Sequence, residues 1–476
     1  MDLHLGNVGI KYLKADARRT FTKESLMLGV KTVGNATLIA YDGKPVLATD
    51  PWFGNEDDAY FGSWRLSHDI PSDAKADIAA APYIWVSHGH PDHLNGQSLK
   101  RFIGATILLP DHVGGRIHHD LKADGYKVRV LPDREWVELS KRIRVMCLPD
   151  YIQDAVLLVD VGGRLFINMN DSGARARLST IPKIARNYKH SYLLRLSGYG
   201  DADMINMFDE DGGRIPFKST RKVGRWLSQY AARTGAKYVV PFSSFHQYQR
   251  EDSAWANAHL TPLSAYRDGF DEKLAAFIEP FVWIDCVSGQ VTPLNPSKIA
   301  APLRKAEEFG DSWSDELDKD DKALLTAYFM RKEGLRDKIG FLRFDVGGRQ
   351  HTVALGGPAN VGITFGVPRN SLMTAVTYRV FDDLLIGNFM KTTLHGMPSL
   401  YSPNFNFFVA KYGDNGGAES KAELQAYLAE YRRRSGAEWV LHIMSREAPH
   451  VFRRFVRPDG RVYAVARDIY NRTLRK

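Results

Sequence analysis

Cysteine is nearly missing from this chain. Two residues among 476, Cys147 and Cys286, exclude a disulfide scaffold, leave too few thiolates for a cysteine-held cluster, and fit a reducing cytoplasm. Long apolar runs are missing as well. None approaches the roughly 18 residues that a membrane span needs, so no membrane partner is expected. Residues 1–25, read as an N-terminal extension, are polar and broken by charge, without the apolar stretch of an export signal. There is no internal repeat and no low-complexity segment. Clustered basic charge is also absent. The net charge is +9, yet Lys and Arg are scattered, as in Lys183 to Lys189 and Arg432 to Arg434, with no aromatic-interleaved patch. That argues against nucleic acid and for a small anionic substrate steered by surface charge. Hydrophobic content of 44% and charged content of 25% are those of a globular chain, long enough here for two or three domains.

What the chain does have is His88-Gly89-His90-Pro91-Asp92-His93, directly after the apolar run Tyr83-Ile84-Trp85-Val86. A β-branched and aromatic run reads as a buried strand, which places the cluster on the loop at its C-terminal end, where open metal sites are built. His88 and His90 alternate along an extended segment and can reach one ion. Asp92 and His93 turn into the next element and can reach a second. Imidazole suits Zn, Fe and Cu, and a carboxylate among imidazoles keeps the site open and catalytic. Three histidines and an aspartate at this spacing have no packing rationale.

The pattern His-x-His-x-Asp-His resembles the signature of the metallo-β-lactamase superfamily. The resemblance implies an α/β fold, an αββα sandwich of two sheets packed face to face with helices outside, expected over residues 26–300. A smaller α+β C-terminal domain is expected over 301–476. Val30 to Ile39 and Lys44 to Trp52 read as a hairpin around Asp42-Gly43, and in the superfamily such a hairpin carries a structural Asp-Pro, here Asp50-Pro51. Asp154 to Val161, turning at Gly162-Gly163 into Arg164 to Asn168, is a second hairpin. Ser219 to Thr234 reads as an amphipathic helix ended by Gly235, followed by a strand over Lys237 to Phe242. Between Thr292 and Asp321 prolines give way to the acidic run Glu307, Glu308, Asp311, Asp315, Glu316, Asp318, read as a solvated boundary. Beyond it, strands over Gly340 to Val346 and His351 to Leu355 flank Gly347-Gly348. A helix over Ser420 to Ser435 turns Leu424, Tyr427, Leu428 and Tyr431 inward.

A dinuclear site needs further ligands. Asp154 opens the second hairpin, with Asp150 near enough to serve instead. Asp171 closes that hairpin, where a carboxylate can bridge two ions and screen their repulsion, or simply cap a turn. His246 follows the strand ending at Phe242, where metallo-β-lactamase-like hydrolases supply the last ligand. A lone loop histidine also fits a polar surface.

Several segments in shared order are similar to the CMP-N-acetylneuraminate hydroxylase branch of the superfamily. They are Thr49 to Trp52, Trp64 to Asp73, Ser87 to Leu94, the hairpin from Asp154 to Asp171, Tyr238 to Phe242 and, more weakly, Phe381 to Gly387 with Pro398 to Tyr401. The resemblance implies a non-haem iron oxygenase acting on the N-acyl group of a sugar nucleotide and fed electrons by a Rieske domain. This chain has no Cys-x-His followed by Cys-x-x-His, so an oxygenase here would draw electrons from a separate protein. It also has His246, which the hydroxylases lack, and that puts the sialic-acid substrate in question.

Two chemistries follow. In a diiron oxygenase, His88, His90 and Asp154 hold one ion, Asp92 and His93 the other, and Asp171 bridges. O2 is the cosubstrate, and the hard ligand set favours iron or manganese over zinc. In a hydrolase of an ester, lactone, amide or phosphodiester, the ions lower the pKa of a bound water toward ~7. Asp92 then orients the nucleophile and His246 completes site two. A non-catalytic metal-binding relative is the third possibility. Trp64, His68 and Arg175 (with Arg177) are candidate substrate contacts, against the plainer reading of a packed Trp, a surface His and solvated Arg. Replacing His90 by alanine is expected to remove at least one equivalent of metal, read by elemental analysis of the purified variant.

Overall fold

A computed structural model describes residues 27–54, 58–196, 204–216 and 222–444. The expected extension over 1–25 and the expected start of the helix at Ser219 lie outside them. Eight strands form one sheet, in the order Val291–Pro293, Val282–Asp285, Leu28–Val33, Thr37–Asp42, Pro45–Thr49, Tyr83–Trp85, Thr106–Pro110, Lys127–Leu131. Seven form a second, in the order Ala276–Phe277, Tyr238–Pro241, His190–Arg195, Arg164–Asn170, Ala155–Val161, Ile143–Pro149, Trp136–Glu138.

The strand Ala155–Val161 shows why the layers stack. Every residue in it is buried, which a half-exposed strand would not tolerate. Side chains alternate between faces. Leu157, Val159 and Val161 meet Val30, Leu38, Leu47 and Leu108 of the first sheet. Val156 and Leu158 point the other way, onto Leu227 and Ala231 of the helix Val223–Thr234. On the far face of the first sheet, Ile39, Ala48, Ile84 and Ile107 cover Ala74 and Ile78 of the helix Ser72–Ala80. The layering is helix, sheet, sheet, helix.

Local signals behave as the sequence suggests, with two differences. The turn at Gly162-Gly163 (φ 58° and 84°) closes the second hairpin, and Gly235 (φ 72°) ends its helix. The run Val30 to Ile39 is not one strand. Gly34 (φ 59°) folds it back, so Leu28–Val33 pairs with Thr37–Asp42, which in turn pairs across Asp42-Gly43 with Pro45–Thr49. The acidic run is not wholly solvated either. Asp311 is buried against Arg250 Nη1 at 2.8 Å and accepts from Ser371.

A third sheet of five strands, Met207–Phe208, Lys391–His395, Gly362–Gly366, Phe341–Val346 and Arg349–Ala354, carries its own core with Leu325, Phe329, Leu372 and Phe381. Its edge strand Met207–Phe208 comes from before residue 300, so the C-terminal unit is stitched into the sandwich. Ser63 Oγ donating to Gly387 O at 2.6 Å and Asn388 Nδ2 donating to Tyr248 OH at 2.8 Å add to the join. In the helix Lys421–Ser435, capped by Ser420 and Glu423, Tyr427 and Tyr431 are buried against Tyr151 and Ile152. No helix among the described residues is long and apolar enough to cross a membrane.

The C-terminal unit also holds a buried ion pair, Lys332 Nζ to Asp414 Oδ1 at 2.6 Å, with Tyr328 OH donating to the other oxygen at 2.5 Å. Replacing Lys332 by methionine removes the closest charge partner of a buried carboxylate, leaving Asp414 only Arg379 at 3.5 Å and the Tyr328 hydroxyl. It should lower stability by about 3 kcal/mol, measured by urea unfolding.

Candidate metal centre

Chain ends from both sheets converge at one edge of the sandwich. The parallel strands Pro45–Thr49, Tyr83–Trp85, Arg164–Asn170 and Tyr238–Pro241 release Asp50, the histidine loop, Asp171 and Ser243 to His246 from their carboxyl ends. That is where open α/β sheets place ligands. The backbone is strained there: Asp50, Asn170, Ser243 and Ser244 all have positive φ, at 41°, 48°, 78° and 60°. Such strain persists where surrounding bonds over-determine it. Asp50 Oδ1 accepts from Ser87 N–H at 2.7 Å, which fixes the start of the histidine loop. The loop then turns through Pro91-Asp92, with Leu94 N–H bonded to His90 O at 2.7 Å. Asn95 closes it by capping Gly96–Leu99.

Each histidine is held from behind. His90 Nε2 lies 3.0 Å from Asp382 Oδ2, and an ionised carboxylate can only accept, so the proton is on Nε2 and Nδ1 keeps its lone pair. That lone pair faces His88 Nε2 at 2.9 Å. These two nitrogens could hold a cation, in which case the Ser87 hydroxyl, 2.9 Å from His88 Nδ1, would accept the His88 proton. His93 Nδ1 lies 3.4 Å from Asp50 Oδ2 and 3.0 Å from Asn170 Nδ2. His93 Nε2 faces inward, buried and without a hydrogen bond, 3.1 Å from Asp92 Oδ2 and 3.6 Å from Asp171 Oδ2. These outer partners orient metal-binding imidazoles.

Charge at the site is split between the rings. Burial and the neighbouring His93 and His90 push His88 well below the usual imidazole range. Burial works against a proton on His93 too, but Asp92 and Asp171 outweigh it and hold His93 well above that range. Burial would raise Asp92, whereas His93 and the Tyr60 hydroxyl, donating at 2.6 Å, keep it ionised. Asn35 Nδ2 donates to its second oxygen at 2.8 Å. Of the three rings, His93 is thus the one whose carboxylate neighbours favour the charged form.

One ligand atom each from His88, His93 and Asp171 lies within 4.8 Å of the others, and so does one each from His90, Asp382 and Asp383. This partition differs from the expected one. Asp171 joins His88 and His93, its Oδ1 held by Ser243 Oγ at 2.9 Å. Asp154 stands in neither group. Its Oδ1 is 3.9 Å from the ammonium of Lys411. Asp150 is committed elsewhere, accepting from Ile152 N, Ser172 Oγ and Arg175 N, and burial beside Asp154 pushes it up to about 7. His246 is buried, both ring nitrogens without a partner, its ring stacked on Trp64 at 3.3 Å between centroids. Burial brings it down to about 3, while Asp92 and Asp171 pull the other way. Trp64 is thus a wall of the site. His68 packs on Phe281 and contacts Ser67, outside both groups. Arg175 lies over the Phe407 ring, its charge opposed by burial and favoured by Tyr151, Asp150 and Asp154, and Arg177 is buried against Asp133.

Asp382, Asp383, Lys411, Tyr60 and Asn35 escaped the sequence reading. Asp382-Asp383 lies in a segment already noted for its similarity to the hydroxylases, and paired acids beside Leu384-Leu385-Ile386 were the available signal. Nothing in the sequence marks Tyr60 or Asn35.

The inner nitrogens of His88, His90 and His93, the unpartnered His246 and the free edge of Asp171 fit bound metal. Helix–sheet–sheet–helix layering, with this loop at the strand ends, is the arrangement that the resemblance to the metallo-β-lactamase superfamily implies. No family model matches the chain. It is similar to the cytidine monophosphate-N-acetylneuraminic acid hydroxylase of Cricetulus griseus, 28% identical over 237 residues, covering 47% of this chain and 42% of that protein. It is also similar to the inactive human counterpart, 29% identical over 138 residues, covering 27% of each. The matches thus span between about a quarter and under half of these relatives' length. Among solved structures, it resembles the metallo hydrolase Igni18 of Ignicoccus hospitalis (14% identical, 54% of this chain and 97% of that chain, TM-score 0.37). It likewise resembles CmlA, a diiron β-hydroxylase from Streptomyces venezuelae (13%, 56% and 54%, TM-score 0.36).

Asp171 sits in a turn, so its loss should spare the fold. Asp171→Ala is expected to lose at least one ion and all turnover while melting within a few degrees of wild type. A variant that keeps full metal would remove Asp171 from the site.

Proposed function

We propose that this chain is a dinuclear metalloenzyme, a hydroxylase that uses O2 and electrons from a separate protein on a small anionic substrate. The observation that carries the metal reading is the convergence of three inward imidazole nitrogens whose outer nitrogens are all engaged. His88, His90, His93 and Asp171 would hold the ions, with Asp92 and either Asp154 or His246 completing the set. Bound iron would supply redox chemistry toward O2. Carboxylates crowd this set, and hard oxygen ligands favour iron or manganese over zinc. Similarity to the hydroxylases supports the same choice.

The chain's own residues prepare the site. Asp382 keeps the His90 proton on Nε2, Tyr60 and Asn35 keep Asp92 ionised, and Ser243 orients Asp171. The Trp64 ring lies flat on His246 and fixes its plane.

His246 supports a second reading, a metal-dependent hydrolase. A buried imidazole without partners, beside Asp92 and Asp171, is what a sixth ligand would look like before metal arrives.

Metal counts separate the two. In the hydroxylase, protein from iron-supplemented growth retains iron, Asp154→His trades it for zinc and loses O2-dependent turnover, and His246→Ala keeps both ions. In the hydrolase, His246→Ala empties one position and Asp154→Ala changes little. Unchanged metal in Asp154→His and His246→Ala alike would remove both residues from the ligand set.

A further inference from the structure

Lys411 belongs to the wide π-helical segment Phe407–Asn415 of the C-terminal unit, and its ammonium is buried beside the histidine loop. Its nearest polar neighbour is His90 Nε2 at 3.4 Å, an N–H already given to Asp382, so two donors face each other. The closest carboxylate oxygens, on Asp154 and Asp382, stand 3.9 and 4.0 Å away, beyond hydrogen-bond reach. Among the described residues no oxygen accepts from this ammonium. A buried charge with its donors unused is costly.

The fold nonetheless holds Lys411 in place. Asp414, on the same segment, is clamped by Lys332 and Tyr328, and π-helical turns are often kept where a functional side chain must be aimed. Neighbouring carboxylates lie within the field of this ammonium but do not bond to it: Asp382 is given to His90, Asp150 to Ile152 N, Ser172 and Arg175 N, Asp92 to Tyr60 and Asn35, and one oxygen of Asp171 to Ser243, while Asp383 stands beside Asp382. Asp154 attracts the ammonium without bonding to it.

We propose that Lys411 is the substrate's anchor, donating to a carboxylate or phosphate oxygen so that the rest of the molecule faces the histidine loop. The C-terminal unit then contributes substrate selection as well as the carboxylate behind His90. The inference deepens the function proposed above and rests on it for what the bound molecule would face, whereas the anion site itself stands on Lys411 alone.

Isothermal titration of the full-length protein as purified, with inorganic phosphate and separately with acetate, tests it. Lys411→Met should weaken the better-bound anion at least tenfold with metal content unchanged by elemental analysis. Lys411→Arg, which keeps the charge, should recover part of the loss. If Lys411→Met fails to fold by circular dichroism, Lys411→Gln takes its place with the same expectation. Equal anion binding by the uncharged variant, no anion binding by wild type, or metal lost together with the anion would each overturn the assignment. Wild-type protein that holds no metal yet binds anion through Lys411 would overturn the metal reading and leave the anchor standing.

Discussion

A single buried carboxylate, Asp50, holds the two sheets in register at the edge where the site forms. It accepts from Ser87 N–H on the first sheet's histidine loop and from Asn170 Nδ2 at 2.6 Å on the second sheet, and it faces His93. Burial favours its neutral form, and the His93 and Ser87 contacts oppose that. Few groups could substitute. An amide in its place would put a donor against Asn170, and an apolar residue would leave Ser87 and Asn170 unpaired in a closed interior. The left-handed backbone at Asp50 and Asn170 is the strain that this arrangement sustains.

The rest of the centre is layered outward from that point. Ser87 touches both Asp50 and His88, and Asn170 touches both Asp50 and His93. The imidazoles are therefore oriented by groups that also join the sheets. The hydrogen bonds that would orient these rings toward a metal are the same ones that close the sandwich.

Much of this was legible from short-range pattern. The apolar run Tyr83 to Val86 followed by the histidine cluster located the loop, and Gly162-Gly163 located a hairpin. Register was harder. Gly34 looked like one position in a strand and is a reversal, because only the backbone angle distinguishes the two. Asp311 looked solvated within an acidic run, since its partner Arg250 is 61 positions away. The deepest omissions share one cause. Asp382 and Lys411 reach His90 across 292 and 321 positions, and no periodicity connects elements at that separation. Asp154 has a comparable long-range neighbour, the Lys411 ammonium 3.9 Å away, which its place at a strand start did not reveal.

The separation between His90 and Asp382 also sets an order of events during synthesis. The histidine loop leaves the ribosome almost three hundred residues ahead of the carboxylate that fixes the His90 tautomer. Until the C-terminal unit has folded, the ring can present either nitrogen and any ion held there is loosely kept. A nascent chain therefore carries its histidine loop for most of synthesis without the partner that fixes the His90 tautomer.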